Sequence, residues 1–108
     1  MITKAEQKAK ALKAAIAYED GLFSDLKDQD FVIEYLNAAM EENNADLFLI
    51  ALRDVVKAQE GGVARVAEET HLSRQNLYAM LSQKGNPRLQ NLVSVLQSLG
   101  LGLKIRLS

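Results

Sequence analysis

The chain has 108 residues, 48% of them hydrophobic and 25% charged, and its formal net charge is −1. This length and composition fit one globular domain with a modest core, and the lack of cysteine excludes a disulfide scaffold, a thiolate metal site and a cysteine nucleophile. No apolar run approaches the roughly 18 residues of a membrane helix, and the lysine-bearing N-terminus lacks the apolar core of a secretory signal, so a cytoplasmic location is expected.

The charge is concentrated in separate parts of the chain. Residues 1–18 carry +3, residues 19–46 carry −8, residues 47–70 carry −1, and residues 71–108 carry +5 without an Asp or Glu. The acidic block is either a solvated face or a contact surface for a basic partner. The basic C-terminal third predicts a surface that meets a polyanion.

Residues 1–24 are predicted to form a helical extension outside the main domain, which spans residues 25–108. A helix over 3–19 is indicated by a narrow apolar seam at helical spacing, formed by Ile2, Ala5, Ala9, Leu12 and Ile16. This seam is either a weak packing stripe or part of a frayed, lysine-rich terminus.

Helical periodicity predicts two longer helices in the domain, over 28–42 and 45–59, with Asn44 as the N-cap of the second. Gly61 and Gly62 end the second helix, because adjacent glycines can take backbone angles that other residues avoid. The residues expected to face the core are Val32, Tyr35, Leu36, Ala39, Met40, Phe48, Ala51, Leu52, Val55 and Val56.

Three shorter helices are predicted to follow, over 63–70, 74–83 and 89–99. Ser73 is the expected N-cap of the middle helix, and Pro87 prevents that helix from continuing. The inward residues predicted for the three helices are Val63, Val66, Ala67, Leu77, Met80, Leu81, Leu89, Leu92, Val93, Leu96 and Leu99.

Residues 101–108 change to a period of two, typical of a strand with one buried face. A lone strand needs a partner for its backbone groups. That partner is either the same strand of a second protomer or a strand of another protein. Alternatively, the tail is a core strand of its own protomer. The expected fold is therefore all-α, with four to five helices and a short C-terminal β-strand. The alternating apolar residues of that strand are Leu101, Leu103, Ile105 and Leu107.

Two short helices joined by a tight turn predict a helix-turn-helix, whose second helix enters the major groove of DNA. Ala67 provides the small residue where the helices cross, and Leu72 is the apolar residue after the turn. His71 stands where such motifs usually have Gly, and His is among the non-glycine residues enriched at positive φ.

The segment VARVAEETHLSRQNLYAMLSQKGNPRLQNLVSVLQSLG, residues 63–100, resembles the Cro/repressor (Xre-like) helix-turn-helix family, including its Gly-x-Pro turn and its Leu-rich helix ending in Leu-Gly. The preceding DQDFVIEYLNAAMEENNADLFLIALRDVVKAQEGG, residues 28–62, resembles addiction-module antidote proteins (HigA-like antitoxins). The resemblance covers about residues 25–108. It implies a homodimeric antitoxin that binds a palindromic operator, represses its own operon and neutralises a RelE/ParE-type toxin.

Candidate DNA contacts lie on the second helix of the motif and in the segment after it. Arg can bond a guanine edge, Gln an adenine edge, and Ala can touch a thymine methyl group. The residues expected to contact bases are Arg74, Gln75, Tyr78 and Ala79. The residues expected to contact phosphates, which position the protein without reading sequence, are Ser73, Asn76, Lys84, Asn86 and Arg88. Tyr78 could instead be half-buried, and Arg88 could cap or solvate the turn before the last helix.

An enzyme, a metal site and a cofactor are not expected, because the chain has one His, no Cys and no Gly-rich phosphate loop. His71 is interpreted as a turn residue rather than as a ligand or a base. Two other functions remain open. One is a toxin-binding module that does not bind DNA, and the other is a prophage-type transcriptional repressor without a toxin partner.

Overall fold

A computed structural model describes residues 25–82 and 85–107, which form five α-helices and no strand. The all-α class is confirmed, and so are the five helices predicted within residues 25–108. The helix predicted over 3–19 and the extension over 1–24 lie outside the described residues. The observed helices are α1 (Gln29–Glu41), α2 (Ala45–Ala58), α3 (Gly62–Thr70), α4 (Arg74–Met80) and α5 (Leu89–Ser98).

Side-chain caps determine where the first two helices begin. The Asp28 carboxylate accepts a hydrogen bond from the backbone N–H of Asp30 at 3.0 Å and caps α1. The predicted Asn44 cap of α2 is confirmed, because its side-chain oxygen accepts from the N–H groups of Asp46 and Leu47 at 3.0 and 3.2 Å. Such caps give partners to N–H groups that the first turn of a helix leaves free.

The helices share one apolar core. Helix α1 packs against α2, α2 against α3, and α3 against both α4 and α5. None of the described residues that are buried is polar or charged. The partly buried Gln59 side chain donates to the carbonyls of Leu26 and Val55 at 2.9 and 3.0 Å, which fastens the turn before α1 to the end of α2. The largest fully buried side chains are Leu26, Leu52, Leu77, Leu81, Val55, Val56, Val66 and Val95.

Two residues predicted to face the core are exposed, so both predictions are wrong. Met40 is 55% exposed because the buried stripe of α1 extends toward Ala38 and leaves Met40 at its opposite border. Leu89 is 67% exposed because it is the first residue of α5, before the helix reaches the core, whereas the unpredicted Val95 is fully buried. Val63, Leu92, Val93 and Leu99 are partly buried, and the other predicted core residues are buried.

The tail over residues 101–107 forms no strand, since the described residues contain no other strand with which it could pair. Leu101 is partly buried and packs against the core. Ile105 and Leu107 are almost fully exposed, and Leu103 is also exposed. The alternative of a core strand in its own protomer is therefore wrong, and pairing with a second copy or with another protein stays a prediction.

Candidate nucleic-acid interface

Helix α4 is held in place at its start and along one face. The Ser73 hydroxyl oxygen accepts from the N–H of Asn76 at 3.0 Å, which confirms the predicted N-cap. Leu77, Met80 and Leu81 are buried against the neighbouring helices, as predicted. The opposite face of α4 therefore points to solvent in a fixed orientation.

The turn before α4 is closed by backbone hydrogen bonds. His71 has φ 59°, in the left-handed region, which confirms its interpretation as a turn residue. The N–H of Leu72 donates to the carbonyl of Ala67 at 3.0 Å. The Thr70 hydroxyl donates to the carbonyl of Val66 at 2.7 Å. The Leu72 bond satisfies one of the carbonyls that the end of α3 leaves free, and the two bonds fix the direction in which the chain enters α4.

All four residues predicted to contact bases lie on the exposed side of α4. Within the described residues, no hydrogen bond or ion pair holds the side chains of Arg74 and Gln75. Both side chains are therefore available to a ligand. Tyr78 is 46% exposed, so it is about half-buried, as the alternative interpretation expects. Part of its side chain still reaches solvent. The four residues are Arg74, Gln75, Tyr78 and Ala79.

The residues predicted to contact phosphates differ in their exposure and in the hydrogen bonds that they already make. Asn76, Asn86 and Arg88 are exposed, Ser73 is exposed but already caps α4, and Lys84 lies outside the described residues. Arg88 is the N-cap residue of α5, yet its side chain makes no capping hydrogen bond. The guanidinium is therefore not a cap, and no side chain of the described residues accepts from the first N–H groups of α5.

One cation at this surface was missed by sequence reasoning. The Lys57 ammonium, in the last turn of α2, lies 5.9 Å from the centroid of the Tyr78 ring. This is within the range of a cation–π contact. Lys57 was not predicted because it lies 21 positions before Tyr78 on another helix. Only the fold brings the two side chains together.

Helices α1 and α4 differ in charge. Helix α1 carries Asp30, Glu34 and Glu41 and no Lys or Arg, whereas α4 carries Arg74 and no carboxylate. Near the turn, Glu69 pairs with Arg65 on α3 at 3.7 Å. A polyanion would therefore meet less repulsion at α4 than at α1.

The described residues hold no cluster of His, Asp or Glu side chains that could bind a metal ion. In the same part of the chain, no helix is long and apolar enough to cross a membrane.

The fold and this surface define a small helical protein with an acid-free helix presented to solvent. Residues 9–107 match the family described as probable addiction module antidote protein, so the chain belongs to that family. An uncharacterized protein of Haemophilus influenzae is 31% identical over 83 residues, which cover 77% of this chain and 84% of that protein. No solved structure matches the chain.

Proposed function

We propose that this protein is a cytoplasmic, DNA-binding antitoxin that represses its own operon as a homodimer and neutralises a RelE/ParE-type toxin. In this proposal α3, the turn at His71 and α4 form a Cro/repressor-type (Xre-like) helix-turn-helix of the HigA-like kind. The observation that carries the proposal is the exposed face of α4, where Arg74, Gln75 and Tyr78 stand together on a helix without a carboxylate.

Base recognition would come from the start of α4. A major groove admits an α-helix, and the N-terminal residues of a recognition helix are those that reach base edges. Arg74 and Gln75 are the first two residues of α4, and no partner in the described chain engages their side chains. Arg74 would bond a guanine and Gln75 an adenine, while Ala79 would contact a thymine methyl group.

Phosphate contacts would come from the segment between α4 and α5. Asn86 and Arg88 are exposed there, and the N-terminus of α5 lacks a side-chain cap. Free N–H groups at the start of a helix attract anions, because the helix dipole is positive at that end. These groups, together with Ser73, Asn76 and Lys84, would fix the position of α4 on the duplex.

The toxin would be met by the acidic side of the molecule. Membership of the antidote family supports an antitoxin role and implies a toxin partner in general. On α1, Ile33 and Met40 are exposed beside the carboxylates of Asp30, Glu34 and Glu41. An exposed apolar pair with an acidic border suits a basic protein surface, since interfaces combine an apolar centre with complementary charge at the rim.

The test of DNA binding is a gel shift at fixed salt with the DNA upstream of the protein's own gene. The double variant Arg74→Ala/Gln75→Ala should lose at least tenfold in affinity, because each bidentate base contact contributes about 1–3 kcal/mol. The matched control is Lys27→Ala/Gln29→Ala, which removes an exposed cation and an exposed Gln that lie outside α3 and α4. Unchanged operator binding by the α4 variant would contradict direct readout by these residues.

The test of antitoxin activity is coexpression with the protein encoded by the adjacent reading frame. The α4 variant should still neutralise a toxic neighbour, because toxin contact is proposed on α1. Neutralisation without DNA binding by the wild-type chain would identify a toxin-binding module. DNA binding without a toxic neighbour would identify a prophage-type repressor.

A further inference from the structure

Lys57 and Tyr78 connect two helices at the surface proposed to meet DNA. The Lys57 ammonium lies 5.9 Å from the Tyr78 ring centroid, and both side chains are exposed. In the described part of the chain, no carboxylate forms an ion pair with Lys57. The charge is therefore held beside the ring without being neutralised.

We propose that Lys57 is a phosphate-binding residue and that the Tyr78 ring holds its ammonium in position. The inference rests on the proposed DNA binding and extends the interface from α4 to the last turn of α2. A lysine ammonium has three N–H donors. Contact with the ring face leaves donors free for a phosphate, so one cation can serve both groups.

The geometry gives Lys57 a role different from that of Arg74 and Gln75. A helix in the major groove has phosphates of the two strands along both sides, and a side chain reaching α4 from a neighbouring helix approaches one of these rims. Lys57 would then add affinity equally for all sequences. Its contribution should appear in the dependence of affinity on salt, because each neutralised phosphate releases counterions.

The Tyr78 ring would act as a positioning group for Lys57. A free lysine side chain loses rotamer freedom when it binds, and contact with the ring restricts it before DNA arrives. Replacing the ring with Leu should therefore weaken the contribution of Lys57, whereas Phe should preserve it. A cation–π contact at an exposed site is worth roughly a two- to fivefold change in affinity.

The experiment measures affinity against salt, from about 50 to 200 mM. The probes are the upstream DNA and a scrambled duplex of the same length, about 30 base pairs, enough for two half-sites one turn apart. Lys57→Met should reduce the steepness of the slope of log affinity against log salt by about 1.8 on both duplexes, which is about 0.9 for each Lys57 of the proposed homodimer. Lys57→Arg should keep the slope, and Lys27→Met, an exposed lysine near α1, should leave it unchanged. Thermal melting checks that each variant is folded.

The positioning role is tested by combining variants on the scrambled duplex, where base reading contributes least. Lys57→Met should reduce the affinity by a smaller factor in a Tyr78→Leu background than in the wild type. In a Tyr78→Phe background it should reduce the affinity by the same factor as in the wild type. An unchanged salt slope for folded Lys57→Met would overturn the phosphate contact. Strict additivity with Tyr78→Leu would overturn the positioning by the ring. If the wild-type chain binds neither duplex, the proposed DNA binding fails instead.

Discussion

The backbone N–H of Leu72 donates to the carbonyl of Ala67 at 3.0 Å, and this bond closes α3 before the chain turns into α4. A second bond joins the N–H of His71 to the carbonyl of Glu68 at 3.3 Å. With His71 in the left-handed region, the pair of bonds forms a Schellman motif, which usually places an apolar residue at the position of Leu72. The partial burial of Leu72 against the core follows from this closure.

The same motif closes α5. There the N–H of Leu101 donates to Leu96 at 2.8 Å and the N–H of Gly100 donates to Gln97 at 3.0 Å. Gly100 has φ 76°, so glycine occupies the position that His71 takes after α3. The chain therefore contains the Schellman motif twice, strained with His71 after α3 and unstrained with Gly100 after α5.

His71→Gly is expected to stabilise the protein by roughly 0.5–1 kcal/mol. A left-handed backbone costs a non-glycine residue about 1–2 kcal/mol, and the greater freedom of glycine in the unfolded chain offsets part of the gain. Urea denaturation of the variant and the wild type measures the difference.

Gly100→Ala is the matched reverse. A Cβ at Gly100 would have its nearest neighbour at 3.5 Å, an ordinary contact, so the loss should reflect backbone strain alone. A loss of about 1 kcal/mol is expected.

A His71→Gly variant that is less stable than the wild type would show that the imidazole makes a compensating contact in the turn.

Local signals in the sequence predicted these turns and caps. Asn44, Ser73 and His71 were assigned correctly because a cap or a left-handed turn depends on a few neighbouring residues. The inward positions of Met40 and Leu89 were assigned wrongly, because the angle at which a helix meets the core is set by its neighbours. A shift of one residue turns a helix by about 100° and suffices to move a border residue into solvent.

Gly85→Ala is expected to destabilise the segment that joins α4 to α5. An added Cβ would lie 2.9 Å from the carbonyl carbon of Met80 and 3.0 Å from the oxygen of Ser82, and it would come closer still to the Met80 oxygen. All three are backbone atoms, which cannot rotate away, so the segment with Asn86 must move. Overpacking of this kind costs about 1–3 kcal/mol.

Thermal melting should detect the Gly85→Ala change as lower stability, and the gel shift should detect it as weaker binding to the proposed operator. Gly102→Ala is the control, because a Cβ there would have no neighbour within 4 Å. Equal behaviour of the two variants would mean that the segment after α4 adapts without cost.

Tyr35 predicts a loss of stability at alkaline pH. Burial, together with the charge and hydrogen bonding of Asp54, raises the pKa of Tyr35 far above its usual value. The Tyr35 hydroxyl donates to Asp54 Oδ2 at 3.4 Å. The unfolded chain releases the phenolic proton near pH 10. Above that pH the folded chain holds more protons than the unfolded chain. The stabilisation that comes from Tyr35 is therefore complete below about pH 10 and is lost as the pH rises above it.

Tyr35→Phe should therefore show a smaller fall in stability above about pH 10 than the wild type. At neutral pH it should cost less than about 1 kcal/mol, because a long hydrogen bond is lost while the ring still packs. Tyr78→Phe removes an exposed phenol and is the control. Parallel pH profiles for Tyr35→Phe and the wild type would argue against a buried neutral phenol in the folded state.

The exposed tail is predicted to pair with the tail of a second protomer. Ile105 is 98% exposed and Leu107 is 96% exposed, although both are apolar. Period-two spacing places them on one side of an extended chain, with Lys104 and Arg106 on the other. Truncation should begin after Gly102, because Leu101 belongs to the Schellman closure of α5 and its loss would disturb the domain itself.

Sedimentation equilibrium should show weaker dimerisation for the chain that ends at Gly102, with no change in its thermal stability as a monomer. Ile105→Ser should weaken the dimer, whereas Arg106→Ser should have little effect, because pairing buries only one face. Loss of affinity in both serine variants would indicate a charge contact rather than a shared apolar face. An undiminished dimer in the truncated chain would place the dimer interface elsewhere, and Leu89, exposed at the start of α5, would be the next side chain to vary.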